Sequence, residues 1–290
     1  MTGLMHQALA GLASGAIYAS LALALVVVHK ATGHINLAQG EMATLSTYVA
    51  WSLLVAGWPF GIAFPVTIAL AFVSGMFVER LVVRPMAHAS PLSSMVLLIG
   101  LFVIINSLVG WFFTYEVRSF PSPFPSRPLL ASGLMSTHEL GTIAVTLSML
   151  VPLFLFFRYT RLGLAMRAAA ANPTSSRLVG IRVGLMWSLG WGLAAAIGAV
   201  AGMLIAPVVF LDPNMMSGVL IYAFAAALLG GIDSPWGTIL GGFALGVIEN
   251  LAGAYLIGTE LKLSVALAVI VLMLVVRPRG LFGQASLGRV

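Results

Sequence analysis

From Leu4 to Val28 the chain carries no Asp, Glu, Lys or Arg. At about 1.5 Å of rise per residue, a helix over such a run exceeds the ~30 Å hydrocarbon core of a bilayer. Similar apolar runs recur at about 37–55, 62–83, 94–113, 140–157, 185–210, 218–229, 236–255 and 261–276. No globular core can hide that many. The chain is 60% hydrophobic and 8% charged, against roughly 25% charged in soluble domains, and its mean hydropathy is +1.08. The expected fold is an all-α, polytopic transmembrane helix bundle forming a single domain over 1–290. It has eight to nine hydrophobic segments, with broken or re-entrant helices near 36–41 and 230–237.

The net charge of +6 does not point to nucleic acid, because the basic residues gather in a few loops. No cysteine is present, which removes disulfides, thiol catalysis and Cys-ligated metals. No cleavable signal is expected, since His29–Lys30 follow the first apolar run. The stretch 158–183 holds Arg158, Arg161, Arg167, Arg177 and Arg182 and no acid. Within it Asn172 suits an N-cap, Pro173 the first helical position and Gly180 the C′ position. These residues predict a helix of about two turns that lies on a membrane surface. Basic loops mark the cytoplasmic side. The loops at 79–93, at 158–183 and at the C-terminus (Arg277, Arg279, Arg289) are therefore expected there, with the N-terminus outside. Eight full spans and one re-entrant piece would reverse the N-terminus. The basic stretch either sets topology alone or presents a surface to a soluble cytoplasmic partner. The longest connection, 114–139, balances Arg118 and Arg127 against Glu116 and Glu139. Its prolines predict an extended strap.

Two polar breaks interrupt apolar runs. Asn36 and Gln39 have the spacing of a capping box, and Gly40 and Glu41 follow. Gly230, Gly231 and Asp233 precede Ser234, an N-cap candidate, with Pro235 at the first helical position and Gly237 beyond. Each break places a helix N-terminus, with its free N–H groups, at or within the membrane, where a carboxylate would be favoured. The plainer alternative is a tight turn at the membrane surface. Both breaks share a loose pattern of apolar run, Gly-containing break and helix restart, as internal duplication leaves in transporters. Glu249 falls mid-segment and must face protein or a cavity, beside Asn250 or Asn106. It serves either an interhelical hydrogen bond or a proton relay. Small residues at Gly11/Gly15, Gly198/Gly202, Gly237/Gly241 and Gly242/Gly246 predict close helix packing. HExxH, GxSxG and P-loop patterns are missing, and His6, His29, His34, His88 and His138 lack metal-ligand spacing. No catalytic or metal-binding residue is expected.

The blocks INLAQGE, RLGLAMRAAAANPTSSRLVGI and AFAAALLGGIDSPWGTILGGFALGVIEN, in that order, resemble the inner-membrane permeases of branched-chain amino acid ABC importers, the LivH type. The resemblance covers nearly the whole chain. It implies a transmembrane permease domain in the bacterial inner membrane, with a cytoplasmic C-terminus. It also implies a second homologous permease subunit, two cytoplasmic ATPase subunits and a periplasmic substrate-binding protein. ATP and Mg would bind the ATPases, and this chain would bind no cofactor. The basic loop becomes an ATPase-coupling element, with Gly163, Arg167, Ala168, Asn172, Gly180 and Ile181 fitting the family pattern and Arg161, Pro173 and Arg177 beside them. Gly40, Glu41, Gly230, Gly231 and Gly237 fit the other blocks. With Asn36, Gln39, Ser234 and Glu249 they are the expected translocation-pathway residues. Gln39, Leu37 and Asn172–Pro173 depart from common family residues, which leaves urea, amides or aromatic acids open as substrates. An ion-coupled secondary transporter and a passive channel are the readings from other classes.

Overall fold

The computed structural model describes residues 2–86, 90–124 and 135–283. His88, Arg127 and Arg289, named above, lie outside them. The described residues form eleven α-helices: α1 (Thr2–Thr32), α2 (Gln39–Val55), α3 (Phe60–Val78), α4 (Pro91–Phe113), α5 (Thr137–Tyr159), α6 (Arg161–Ala171), α7 (Pro173–Leu178), α8 (Val183–Val209), α9 (Met215–Gly230), α10 (Pro235–Ala252) and α11 (Lys262–Val276). All nine expected apolar segments are helices. Seven of the described helices are long and apolar enough to cross a membrane: α1, α3, α4, α5, α8, α10 and α11, some extended by adjoining turns. At 16 residues α9 is longer than expected, yet at ~1.5 Å per residue it still falls short of the hydrocarbon core. Phe77, Trp111 and Val275 are 63%, 76% and 77% exposed. Large apolar side chains presented outward suit lipid and would not suit water.

The helices gather into two compact units. The first comprises Met1–Val26, Phe124–Thr146 and Gly218–Val290. Here the small-residue faces of α1 and α10 meet each other. A Cβ on Gly11 would lie 2.8 Å from the Gly246 carbonyl oxygen, and one on Gly15 2.8 Å from that of Gly242. The backbones touch, as small-xxx-small packing requires. Tyr18 of α1 stacks on Tyr222 of α9 with ring centroids 4.7 Å apart.

The second unit comprises Val27–Pro123 and Leu147–Ser217. Its core is the packing of α8 on α2 and α3. Cβ atoms added at Gly75 and Gly192 would approach the backbones of the facing helices, Trp191 O at 2.6 Å and Phe72 O at 2.9 Å. On α8, Gly198 lies against Gln39 and Gly202 against Ala43 and Thr47. From 114 to 124 the chain is not helical, and residues 125–134 of the expected strap lie outside the described residues. Arg118 and Leu211 exchange two backbone hydrogen bonds of 2.9 Å, and the Arg118 guanidinium sits 4.6 Å from the centre of the Trp51 ring. At Asp212–Pro213 the chain turns, with Asp212 Oδ1 accepting from Asn214 N.

Candidate functional site

The basic stretch is two capped helices, not a loop with one helix. Thr160 Oγ1 accepts from Gly163 N at 3.0 Å and starts α6. Asn172 Oδ1 accepts from Ser175 N at 2.9 Å and starts α7, with Pro173 at its first turn. Gly180 follows the end of α7 with φ +83°, the left-handed geometry that suits glycine. The α7 helix, its cap and its stop were legible in the sequence. The α6 helix was not, although Ala, Leu, Met and Arg all favour helix and Thr160 is a good cap. Gly163, Met166 and Ala169 form its buried face. Met166 and Ala169 pack with Val183 and Met186, and Phe156, Phe157 and Ile181 close over them. A Cβ on Gly163 would meet the Phe156 carbonyl and Phe157, so glycine here permits close contact with the end of α5. Arg158, Arg161, Arg167, Arg177 and Arg182 are all exposed. Only Ser176 of α7 is buried, and Leu178 and Val179 at its end are 85% and 77% exposed. The result is a positively charged, exposed surface with an apolar tip.

The first break belongs to the second unit. Asn36, Gln39 and Glu41 are buried. The expected reciprocal capping box is not formed. The N-cap position is Ala38, and Asn36 Oδ1 accepts from Ala38 N at 3.0 Å, two residues on instead of three. Asn36 Nδ2 donates to Gln39 Oε1 at 3.1 Å, and Gln39 Nε2 donates to the Ala194 carbonyl at 2.9 Å. Asn36 has a short, branched amide that favours the tighter local turn, which frees Gln39 to tie α2 to α8. Gly40 is buried in the first turn of α2. Glu41, 1% exposed, accepts from Asn106 Nδ2 at 3.2 Å. Asn106 also bonds to Pro213 O and Asn214 Oδ1 and accepts from Tyr115. Asn106, one of two residues the sequence offered as a neighbour of Glu249, therefore serves Glu41.

The second break belongs to the first unit and is a compact turn. Ser234 Oγ accepts from Gly237 N at 3.1 Å, and Pro235 opens α10, as predicted. Gly231 has φ +106°. Gly230 and Gly237 are in backbone contact, and the segment after α11 seals the turn: Leu281 N donates to Leu229 O at 2.9 Å and Phe282 N to Gly230 O at 3.1 Å. Further along α10, the Tyr18 and Tyr222 hydroxyls and the Lys262 ammonium lie close enough to the buried Glu249 to act on it electrostatically. Lys262 Nζ donates to Asn250 Oδ1 at 2.6 Å. The sequence missed both tyrosines and the lysine, because each belongs to a different helix from Glu249. Among the described residues no group of three His, Cys, Asp or Glu could hold a metal ion.

The profile of the family described as branched-chain amino acid transport system / permease component matches residues 7–276. The chain is 31% identical to the high-affinity branched-chain amino acid transport system permease protein LivH of Salmonella typhimurium, over 99% of this chain and 97% of the relative. It matches LivH of Escherichia coli K12 to the same extent. It is 29% identical to the permease protein BraD of Pseudomonas aeruginosa, over 99% and 98%. A chain of PsaBC from Streptococcus pneumoniae in complex with Fab shares the fold, with TM-score 0.50, 13% identity and coverage of 93% and 91%. With the family profile spanning nearly every helix and full-length relatives above, this chain belongs to the branched-chain amino acid transport system permease family.

Proposed function

We propose that the chain is the membrane-spanning permease subunit of an ATP-driven importer that carries branched-chain amino acids, or closely related small solutes, across a bacterial inner membrane. The observation that carries this reading is the α6–α7 projection. Its buried face is anchored on α8, while five arginines and the Leu178–Val179 tip are left exposed. A surface of that kind suits a groove on a soluble subunit, with arginines meeting acids at its rim and the apolar tip filling a pocket.

In this reading α7 faces the cytosol and docks on one of two ATPase subunits, which bind ATP and Mg and perform hydrolysis. This chain performs none. A second homologous permease completes the pathway, and a periplasmic binding protein delivers substrate. Closure of the ATPases moves α7, and α6 passes the motion to α8, which packs on α2 and α3. In this reading the route opens alternately to either side beside the 36–41 break. The C-terminus is cytoplasmic.

The test is Arg167→Gln combined with Arg177→Gln in the assembled transporter. Uptake and substrate-stimulated ATP hydrolysis should both fall while membrane insertion stays intact. Unchanged uptake would refute the docking role. Thermal-shift screening of the cognate binding protein against leucine, isoleucine, valine, urea and aromatic acids separates the candidate substrates.

A further inference from the structure

Two non-glycine residues of the second unit hold backbone conformations that belong to glycine. Thr114, which ends α4, has φ +62° and ψ 170°, and Phe210, which ends α8, has φ +66° and ψ 160°. A Cβ in that region crowds its own backbone, so such a residue persists only where its surroundings enforce it. Both elbows lie at the same end of the unit. α8 starts just after α7, and the start of α4 shares a cavity wall with α7. At ~1.5 Å per residue, the 23 residues of α4 and 27 of α8 carry Thr114 and Phe210 about 35 and 40 Å from there. The paired backbone hydrogen bonds of Arg118 and Leu211 tie the chain beyond one elbow to the chain beyond the other. Asn106 adds a second tie. It accepts from Tyr115, just past the first elbow, and donates to Pro213 and Asn214, past the second. Its two amide hydrogens face three acceptors, Glu41 Oε2, Pro213 O and Asn214 Oδ1, at 3.2, 3.2 and 3.1 Å. One acceptor is always left short, so this tie holds less firmly than its bond count implies.

Beneath this strap runs one face of α2. Glu41, Thr44 and Tyr48 fall at i, i+3 and i+7 and share that face, at 1%, 0% and 0% exposure. Glu41 meets Asn106, and Tyr48 stacks on Phe113. Asp212 lies close enough to both to act on them electrostatically. Another face of α2, carrying Gln39, Ala43 and Thr47, packs on α8. Glu41 Oε1, Thr44 Oγ1 and Tyr48 OH all lack a hydrogen-bond partner among the described residues. Three unmet polar groups on one sealed face oppose closure, and water or solute admitted there would satisfy them.

We propose that the strap formed by 114–118 and 210–214 is a spring-loaded gate over the polar face of α2, at the end of the unit away from α7. In this structure it is shut. The Arg118–Leu211 pair and Asn106 hold it closed, and opening relaxes both elbows and hydrates Glu41, Thr44 and Tyr48. The gate deepens the permease reading and rests on it for what passes, a small polar solute, but not for the motion itself.

The chain has no cysteine, so Thr44→Cys supplies a single thiol beneath the strap. Its reaction with a small cationic methanethiosulfonate is followed in the assembled transporter in nanodiscs, without nucleotide. The rate reads the open population. Thr114→Gly and Phe210→Gly each relieve strain in the shut state, and each should slow labelling roughly tenfold. Thr114→Ala and Phe210→Ala keep the Cβ, and with it the strain, and should stay within about threefold of the parent. Asn106→Ala removes one tie and should speed labelling about fivefold. Thr47→Cys, equally buried on the α8 face, is the control, and none of these substitutions should alter its rate. The gate is overturned if the glycine variants label as fast as their alanine counterparts, if Thr47→Cys moves in parallel, or if Thr44→Cys fails to react even with Asn106→Ala. Nucleotide separates the gate from the transport reading. Labelling that obeys the glycines yet ignores ATP with vanadate supports the gate and sinks the ATP-driven importer.

Discussion

Arg84 and Glu79, on the turn that ends α3, form a two-pronged ion pair around a fully buried carboxylate: Nε to Oε1 at 3.0 Å and Nη2 to Oε2 at 2.6 Å. Arg84 Nη2 also donates to the Gly184 carbonyl at 2.6 Å, and Ser188 Oγ to Glu79 Oε2 at 2.5 Å. Glu79 opens a π-helical turn, 79–83. The extra residue in that turn aims both side chains at α8. The pair thus locks the end of α3 to the start of α8, one peptide run away from α7.

Breaking one side of the pair should be costly. Arg84→Ala leaves a buried carboxylate without its cation, a loss of about 3 kcal/mol. Replacing both groups, Glu79→Gln with Arg84→Met, removes the uncompensated charge and should recover part of that loss. Thermal unfolding of the purified chain in detergent checks the order: a double variant less stable than Arg84→Ala contradicts it.

Asn172 caps α7 through one side-chain bond. Asn172→Ala should cost about 1 kcal/mol of local helix stability, enough to fray a helix of 6 residues. Asn172→Asp retains the acceptor and should behave nearly as the parent. Substrate-stimulated ATPase activity of the assembled transporter reads the difference, and equal activity in both variants counts against a role for the cap.

The second break depends on backbone contact between Gly230 and Gly237. Gly237→Ala would press its methyl into the Gly230 carbonyl and to within 2.7 Å of Phe282 Cβ. Overpacking of that kind costs roughly 1–3 kcal/mol. Gly218→Ala, with open space around its Cβ position, is the matched control. Proteolysis after Arg277 or Arg279 should accelerate in the first variant and not in the second, because the sealing segment is displaced.

The Tyr18 and Tyr222 hydroxyls lie beside Glu249. If its part is to join α10 to α1 and α9, Glu249→Gln keeps a hydrogen-bonding group of the same shape, and uptake should stay within about twofold of the parent, since exchange among satisfied partners is nearly neutral. Collapse of uptake, with normal insertion, would instead favour an ion-coupled route through this residue.

Much of the molecule was determined by local order along the chain. Apolar run length located all nine segments, and Asn172, Pro173, Gly180, Ser234 and Pro235 announced helix ends, because caps and stops depend on neighbours within a few residues. The small-residue faces were equally visible on α1, α8 and α10. Their partners were not: that Gly11 and Gly15 meet Gly246 and Gly242, or that Gly198 lies against Gln39, follows only from how the helices pack. The same holds for Asn106 on Glu41, for Tyr18, Tyr222 and Lys262 around Glu249, and for the cavity beside α7. A helix shows its period in sequence, but a hydrogen bond between side chains from distant parts of the chain leaves no local trace. Only the tertiary structure could decide those pairings.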